Sequence, residues 1–125
     1  MSLKIYAIAR NKFVTAAWSW PSLAVQARLF DASYVANLET DIHIPSGEID
    51  STTLTGKTTD AKGFCRCNPI FFNDVVNATP ITQILVFAST GGIPIFHIDC
   101  PPINPSTVPR PVQVLLGGAG WLFRI

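Results

Sequence analysis

Three cysteines and a histidine are the side chains of this sequence best suited to metal binding or a covalent link. Cys65 and Cys67 form a C-x-C pair, and His97 and Cys100 form an H-x-x-C pair. Thiolate and imidazole are ligands that tetrahedral Zn²⁺ prefers. Structural zinc sites, however, usually place a turn between paired cysteines, whereas two cysteines at i and i+2 on a strand share one face and do not converge. We therefore expect no metal and no other cofactor.

A disulfide is the second chemistry open to these thiols. Cys100 could pair with Cys65 or with Cys67 if their strands are neighbours, and the total of three cysteines leaves one that could bridge subunits. Because a cytoplasm keeps thiols reduced, such a bond would form only after the protein has left the cell. We favour buried, reduced thiols and keep the disulfide as the alternative.

The sequence has none of the common catalytic motifs. It lacks a G-x-S-x-G elbow, a G-x-x-x-x-G-K-[ST] phosphate loop and an H-E-x-x-H pair. The carboxylates of Glu39, Asp41 and Glu48 fall around loops, which is typical of a solvated surface. We predict that the chain is not an enzyme.

The composition points to a protein that works through contacts with other subunits. Hydrophobic residues make up 48% of the chain and charged residues only 14%, against about 25% charged in typical soluble domains. A net charge of +1 gives no reason to expect nucleic acid as a partner. Apolar stretches are far shorter than the roughly 20 residues of a membrane span, and no secretory signal is evident, so we expect folding in a cytoplasm and no membrane contact.

The elements that must position these side chains are mostly strands. Residues 3–18 are predicted to form an N-terminal helix that ends before Pro21, and residues 23–30 alternate like a half-buried strand. Residues 31–46 are predicted to be a structured loop in which Asn37 caps one helical turn. Short strands are predicted after this loop, at residues 48–53, 54–59, 63–68 and 70–73.

The clearest local prediction is a hairpin of residues 81–89 and 93–99, joined through Gly91 and Gly92. A terminal hairpin is predicted from residues 112–116 and 121–125, with a glycine-rich turn between them and Trp121 in the core. The fold class is thus mainly β: an antiparallel β-sandwich or barrel with a short N-terminal helix, in one domain over residues 1–125.

A proline-rich segment is the best candidate for contacts with a partner. Because each proline removes a backbone donor, residues 101–110 are predicted to form an extended arm at the surface. Aromatic rings bury large areas in cores and interfaces alike, so tryptophans next to Pro21 are also candidates. The possible interface residues are Trp18, Trp20, Pro101, Pro102, Pro105 and Pro109.

The order of several segments resembles a family of small structural proteins of tailed-phage virions, encoded among capsid and tail genes. Members of this family are similar in having an N-terminal helix, a strand that ends in Asp followed by Tyr, a Leu-Thr-Gly-Lys-Thr-like strand, and a hairpin whose second arm ends in Asp. The segments that carry the resemblance are VQARLFDASY (25–34), IPSGEI (44–49), LTGKT (54–58), ILVF (84–87), IFHID (95–99) and WLFRI (121–125).

This resemblance implies a virion component that is made in the cytoplasm of a bacterial host. A capsid decoration, or cement, protein is the function we expect, with other virion proteins as partners and a homo-oligomer, naturally a trimer, as its form. A tail, baseplate or fibre-attachment protein is the first alternative. An alternative of another class is a glycan-binding β-sandwich module, for which Tyr34 and Asn37 would supply an aromatic ring and an amide.

Overall fold

The structure is a computed structural model that describes residues 2–114 and 121–124 of the 125-residue chain. Within these residues it is mainly β with one short helix, and the strand pairings are antiparallel, which confirms the predicted fold class. No helix in this part combines the length and apolar character of a membrane span. The elements in chain order are β1 (Ser2–Ile5), α1 (Ala7–Val14), β2 (Val25–Phe30), β3 (Asp50–Thr53), β4 (Thr58–Thr59), β5 (Phe64–Arg66), β6 (Ile70–Asn77), β7 (Ile81–Ala88), β8 (Ile93–Ile103), β9 (Ser106–Val114) and β10 (Trp121–Arg124).

The larger sheet has five strands in the order β1-β8-β7-β2-β3. Its centre is the predicted β7–β8 hairpin, whose turn uses positive φ angles of 80° at Gly91 and 59° at Gly92, a conformation that glycine adopts without a Cβ clash. Every residue of β7 except Thr82 is buried, so this strand is covered on both of its faces. A continuous apolar sequence is what a strand with two buried faces requires.

The helix is shorter than predicted, because the first residues form a strand instead. The helix prediction for residues 3–18 was wrong at both ends: β1 pairs with β8, with Leu3 opposite Ile98, and the helix covers only Ala7–Val14. The open edge of β8 offers hydrogen-bond partners to β1, and Leu3 and Ile5 alternate with Lys4 as a strand pattern does. This tertiary pairing overrides the helical spacing of the apolar residues.

One face of the large sheet is covered by α1 and the turn that follows it. Trp20 is fully buried, and its ring centroid lies 6.3 Å from that of Phe96 on β8 and 6.5 Å from that of Phe13 on α1. The indole Nε1 donates a 2.8 Å hydrogen bond to the backbone carbonyl of Arg66, at the end of β5. Trp20 thus joins the helix, the large sheet and β5.

The opposite face is covered by residues 31–46, which we call the cover loop. Two backbone–backbone hydrogen bonds anchor it to distant parts of the chain: the Ala7 amide donates to the Leu38 carbonyl, and the Ile44 amide donates to the Gly92 carbonyl, both at 2.8 Å. Within it, the Asn37 side chain accepts hydrogen bonds from the amides of Glu39 and Thr40. The predicted structured loop and its capped turn are confirmed.

The remaining strands form two small sheets, β10-β5-β4 and β6-β9. The predicted terminal hairpin was wrong, because β10 pairs with β5 and not with β9: Phe123 is opposite Cys65. The predicted glycine turn at residues 117–120 and the last residue lie outside the described residues, as does the side chain of Trp121. Distant pairing, which no local pattern encodes, decides the position of this last strand.

The proline-rich segment is extended, as predicted, but it is not a free connection. The structure corrects this prediction for residues 101–110: β8 continues to Ile103, and β9 begins at Ser106. Pro101 and Pro102 lie in a register shift between the Gln83–Asp99 and Ile81–Ile103 pairs, where a missing donor costs little. In the described residues β9 pairs on one side only, with β6, which is the setting in which a strand tolerates proline.

Candidate functional site

The β6–β9 pair presents an apolar face to solvent, which we call the ribbon face. Inward and outward side chains alternate along β6: Phe72 and Val75 are buried, whereas Phe71 and Val76 are 45% and 47% exposed. The alternation is interrupted at Asn73 and Asp74, which are both exposed. Between the Phe72–Val112 and Val75–Arg110 pairs β6 has one residue more than β9, and the alternation resumes after this bulge. Two large apolar side chains therefore project from one strand into water.

The second strand extends this apolar surface. On β9, Val112 faces the core, whereas Pro109, Pro111 and Val108 are exposed, and Val108 is 68% exposed. Among the exposed residues of β6 and β9, the sole formal charge belongs to Asp74. Five of the nine exposed residues of β6 and β9 are apolar, and these five make up the ribbon face: Phe71, Val76, Val108, Pro109 and Pro111. A concentration of exposed apolar side chains is typical of a surface that contacts another protein.

A buried asparagine holds the two strands of the ribbon in place. The Asn77 amide nitrogen donates to the backbone carbonyls of Thr79, Asn104 and Ile103, at 2.8, 3.2 and 3.4 Å. Its oxygen accepts a hydrogen bond from Arg110 Nη2 at 3.3 Å. Asn77 therefore clamps the end of β6 to the connection between β8 and β9 and to Arg110 of β9, and the Arg110 guanidinium is used inside the fold instead of charging the ribbon face.

The residues predicted to form an interface are separated in the structure. Trp20 lies in the core, which corrects its prediction as an interface residue, and Trp18 is half-buried, with its ring 5.5 Å from that of Phe13. The four prolines are exposed, and Pro109 belongs to the ribbon face. Pro101 and Pro102 lie at the register shift in β8, and Pro105 lies between β8 and β9.

The three cysteines carry free thiols. Cys65 is buried in β5, and its thiol lies 3.6 Å from the Thr59 hydroxyl, whereas Cys67 and Cys100 are half-buried. Burial raises the pKa of all three thiols, and that of Cys67 reaches about 11. In the described part of the chain, no three His, Cys, Asp or Glu side chains come together as a metal site would require.

A pocket of about 320 Å³ opens between the large sheet and the cover loop, and we call it the His97 pocket. Lys4 on β1 lies directly opposite His97 on β8, and Asp99 follows two residues later on the same face. His97 Nδ1 is 3.8 Å from an Asp99 carboxylate oxygen. Tyr34 and Leu38 of the cover loop line the other side.

Gln83 fixes the protonation pattern of the imidazole. Its amide nitrogen donates to the backbone carbonyls of Asp31 and Tyr34, at 2.5 and 2.7 Å, so its oxygen faces His97 Nε2 at 2.6 Å. That oxygen can only accept, which requires the proton on Nε2 and leaves a lone pair on Nδ1 in the neutral ring. Burial lowers the pKa of His97, against the opposing effect of Asp99. The pocket thus contains a neutral imidazole acceptor.

A chain of hydroxyl and carboxylate groups fixes the cover loop next to this pocket. The hydroxyls of Tyr6 and Tyr34 are 2.5 Å apart, and Tyr34 donates to Asp41 at 3.1 Å. Burial raises the pKa of both phenols, so both stay protonated at neutral pH. Tyr34 and Asn37, the residues considered for glycan binding, both use their polar groups within the loop.

Sequence reasoning did not single out Gln83 or Lys4, and it considered His97 only as a possible metal ligand together with Cys100. The available signal was Gln83 itself, a polar residue inside the apolar run of β7. A buried polar side chain requires hydrogen-bond partners, so its presence in such a run predicts a network beneath a covering segment. The partners could not be identified, because they come from the distant cover loop.

No protein-family model matches the chain, and neither a curated protein nor a solved structure shows significant similarity to it.

Proposed function

We propose that this chain is a structural protein of a tailed-phage virion, and that it is a capsid decoration protein that stabilises the particle through contacts with other virion proteins and with its own copies. The single observation that carries this proposal is the ribbon face, a set of five exposed apolar residues on two paired strands whose other exposed residues carry one formal charge. The sequence resemblance to small virion proteins supports the same reading.

The energetics of the ribbon face favour a contact role. Burying apolar surface contributes about 25 cal/mol per Å², and a stable contact covers roughly 800 Å² on each partner. Phe71, Val76 and Val108 lie in water in the isolated chain, and each would gain free energy when covered. No catalytic step is needed for such a role, in keeping with the expectation that the chain is not an enzyme.

The low charge of the chain supports the same proposal. Lys, Arg, Asp and Glu together make up 14% of the residues, so much of the surface is uncharged. In a decoration protein this surface would be shared between neighbouring copies and the capsid lattice, where desolvating few charges costs little. A symmetric homo-oligomer, such as a trimer, would repeat the ribbon face at each contact.

A charge introduced into the ribbon face tests this function. Tailed-phage particles assembled without this chain are mixed with the purified protein, and the bound fraction is measured by co-sedimentation. Val108→Lys should reduce binding at least about tenfold, because a buried, unpaired ammonium opposes association. Val14→Lys is the matched control, since Val14 is 72% exposed, close to the 68% of Val108, but lies on α1. Equal binding of both variants, or no binding of the wild-type protein, would contradict the proposal.

The number of copies in purified particles separates a decoration protein from a tail or baseplate component. Quantitative mass spectrometry against the major capsid protein gives this number directly. A decoration protein follows the capsid lattice and is present in many copies, whereas a tail or baseplate part is present in few. A low copy number would contradict a decoration role and would favour a structural protein of the tail or baseplate.

A further inference from the structure

We propose that the His97 pocket binds a small zwitterion, a free α-amino acid with an apolar side chain, whose ammonium group lies between His97 and Asp99 and whose carboxylate meets Lys4. This inference does not depend on the virion function. It rests on the arrangement of three polar groups on the paired strands β1 and β8 and on the cover loop that closes the other side.

The His97 pocket contains a pair of hydrogen-bond acceptors, the imidazole of His97 and the carboxylate of Asp99. His97 Nδ1 carries a lone pair, because Gln83 holds the proton on Nε2, and the nearest Asp99 oxygen is 3.8 Å away. This separation is too long for a hydrogen bond between the two groups but suits one donor group that bridges them. An ammonium carries three protons and can donate to both acceptors, whereas a hydroxyl carries one proton and can donate to one.

A cation, the side chain of Lys4, lies on the neighbouring strand β1. Lys4 is paired with His97 across β1 and β8, so their Cβ atoms are about 5 Å apart on one face of the sheet. Lys4 is exposed and lines the pocket, and an ammonium group is a suitable partner for a carboxylate. A ligand with a positive charge alone would be repelled by Lys4, and one with a negative charge alone would be repelled by Asp99. A zwitterion places its carboxylate at Lys4 and its ammonium at Asp99, so each charge meets one of opposite sign.

The size of the pocket and its apolar wall limit the kind of ligand that it can hold. A volume of about 320 Å³ is at the lower end of the roughly 300–1,000 Å³ range of small-molecule sites, so it suits a single amino acid and not a longer peptide. Val35, Ala36 and Leu38 of the cover loop line the pocket opposite the charged strands and provide an apolar surface for a side chain. His97 is only 7% exposed and is held by Gln83, so this acceptor is positioned before any ligand arrives.

Ligands that lack one charge test the proposal directly. L-leucine is titrated into the 125-residue protein at neutral pH, and amide resonances are followed by NMR. We expect saturable shifts at Lys4, His97, Asp99 and Leu38. Isoamylamine is leucine without its carboxylate, and isocaproate is leucine without its ammonium; each should bind at least about tenfold more weakly than leucine. Absence of saturable shifts with leucine, or equal affinity for either analogue, would overturn the proposal.

Two variants locate the binding site. Asp99→Asn and Lys4→Gln each remove one charge from an exposed position, so the fold should survive, which thermal unfolding checks. Each should weaken leucine binding at least about tenfold. Asp74→Asn is the matched control, since it removes an exposed carboxylate from β6, and it should bind leucine like the wild-type protein. Unchanged affinity in both Asp99→Asn and Lys4→Gln, or shifts with glucose that equal those with leucine, would refute the assignment.

Discussion

Gln83 and His97, on the neighbouring strands β7 and β8, share a hydrogen bond of 2.6 Å between the amide oxygen and the imidazole Nε2. The amide nitrogen of the same glutamine donates to two carbonyls of the cover loop. One side chain therefore sets the tautomer of the histidine and holds the loop against the sheet. This relationship links the stability of the fold to the chemistry of the His97 pocket.

Replacing the glutamine by an apolar residue should release the cover loop. Gln83→Leu leaves the carbonyls of Asp31 and Tyr34 and the Nε2 proton of His97 without these partners. Leaving a buried polar group unsatisfied costs about 1–3 kcal/mol, so we expect a loss of about 3 kcal/mol in the free energy of unfolding, measured in urea. Hydrogen exchange should accelerate at the amides of Ala7 and Ile44.

The matched control for this variant is Gln113→Leu, because Gln113 is exposed on β9. Its free energy of unfolding should stay within about 0.5 kcal/mol of the wild-type value. A Gln83→Leu protein as stable as this control would contradict the assigned network.

Acidification should destabilise the fold through His97. Burial lowers its pKa; Asp99 opposes this shift, and Lys4 adds to it, while Tyr34 faces the ring from the cover loop. The unfolded chain therefore takes up a proton near the ordinary histidine pKa of about 6.5, before the folded chain does. The contribution of His97 to stability is complete above this pH and falls as the pH drops towards the folded-state pKa.

Urea unfolding at neutral and mildly acidic pH measures this effect in the wild-type protein and in His97→Asn. The variant should lose less stability on acidification than the wild type, because it lacks the titrating group. An imidazole titration by NMR should give a midpoint below about 6.5 for His97. Equal pH dependence in the two proteins would count against a buried, neutral histidine.

A single change of amide to carboxylate should weaken the ribbon. In Asn77→Asp the donor that reaches the carbonyls of Thr79 and Asn104 is replaced by an acceptor, so like partial charges face each other in a buried site. We expect a loss of at least about 3 kcal/mol in the free energy of unfolding. Asn73→Asp makes the same chemical change at an exposed position of β6 and should cost no more than about 0.5 kcal/mol. Similar losses in the two variants would show that Asn77 is not the clamp.

Native thiols should react slowly with alkylating agents. The pKa of Cys67 is raised to about 11 by burial, so its thiolate fraction at neutral pH is at least about a hundredfold below that of an ordinary thiol with a pKa of about 8.5. Iodoacetamide should therefore modify Cys67 at least about a hundredfold faster in urea than in the native protein, as followed by peptide mass spectrometry. Comparable rates in both states would place this thiol in water.

Local patterns predicted the elements whose partners are adjacent in the chain. The β7–β8 hairpin follows from two β-branched runs and the glycines between them, and the capped turn follows from Asn37. Of the candidate site, the exposure of Pro109 was predicted, whereas the burial of Trp20 was not. A tryptophan beside a proline suits a core or an interface equally well, and only its contacts with Phe96 and Arg66 decide between them.

The sequence by itself determined the fold class, because alternation, β-branched residues and glycine turns act over a few neighbouring residues. It also determined that the surface would be poor in charge. Only the tertiary structure decided that Ser2–Ile5 is a strand, that Trp121–Arg124 pairs with β5, and that Gln83 joins His97 to the cover loop. These features depend on unpaired strand edges and on buried polar groups whose hydrogen-bond partners are far away in the chain. Such contacts form, and contribute to stability, only when the chain is folded.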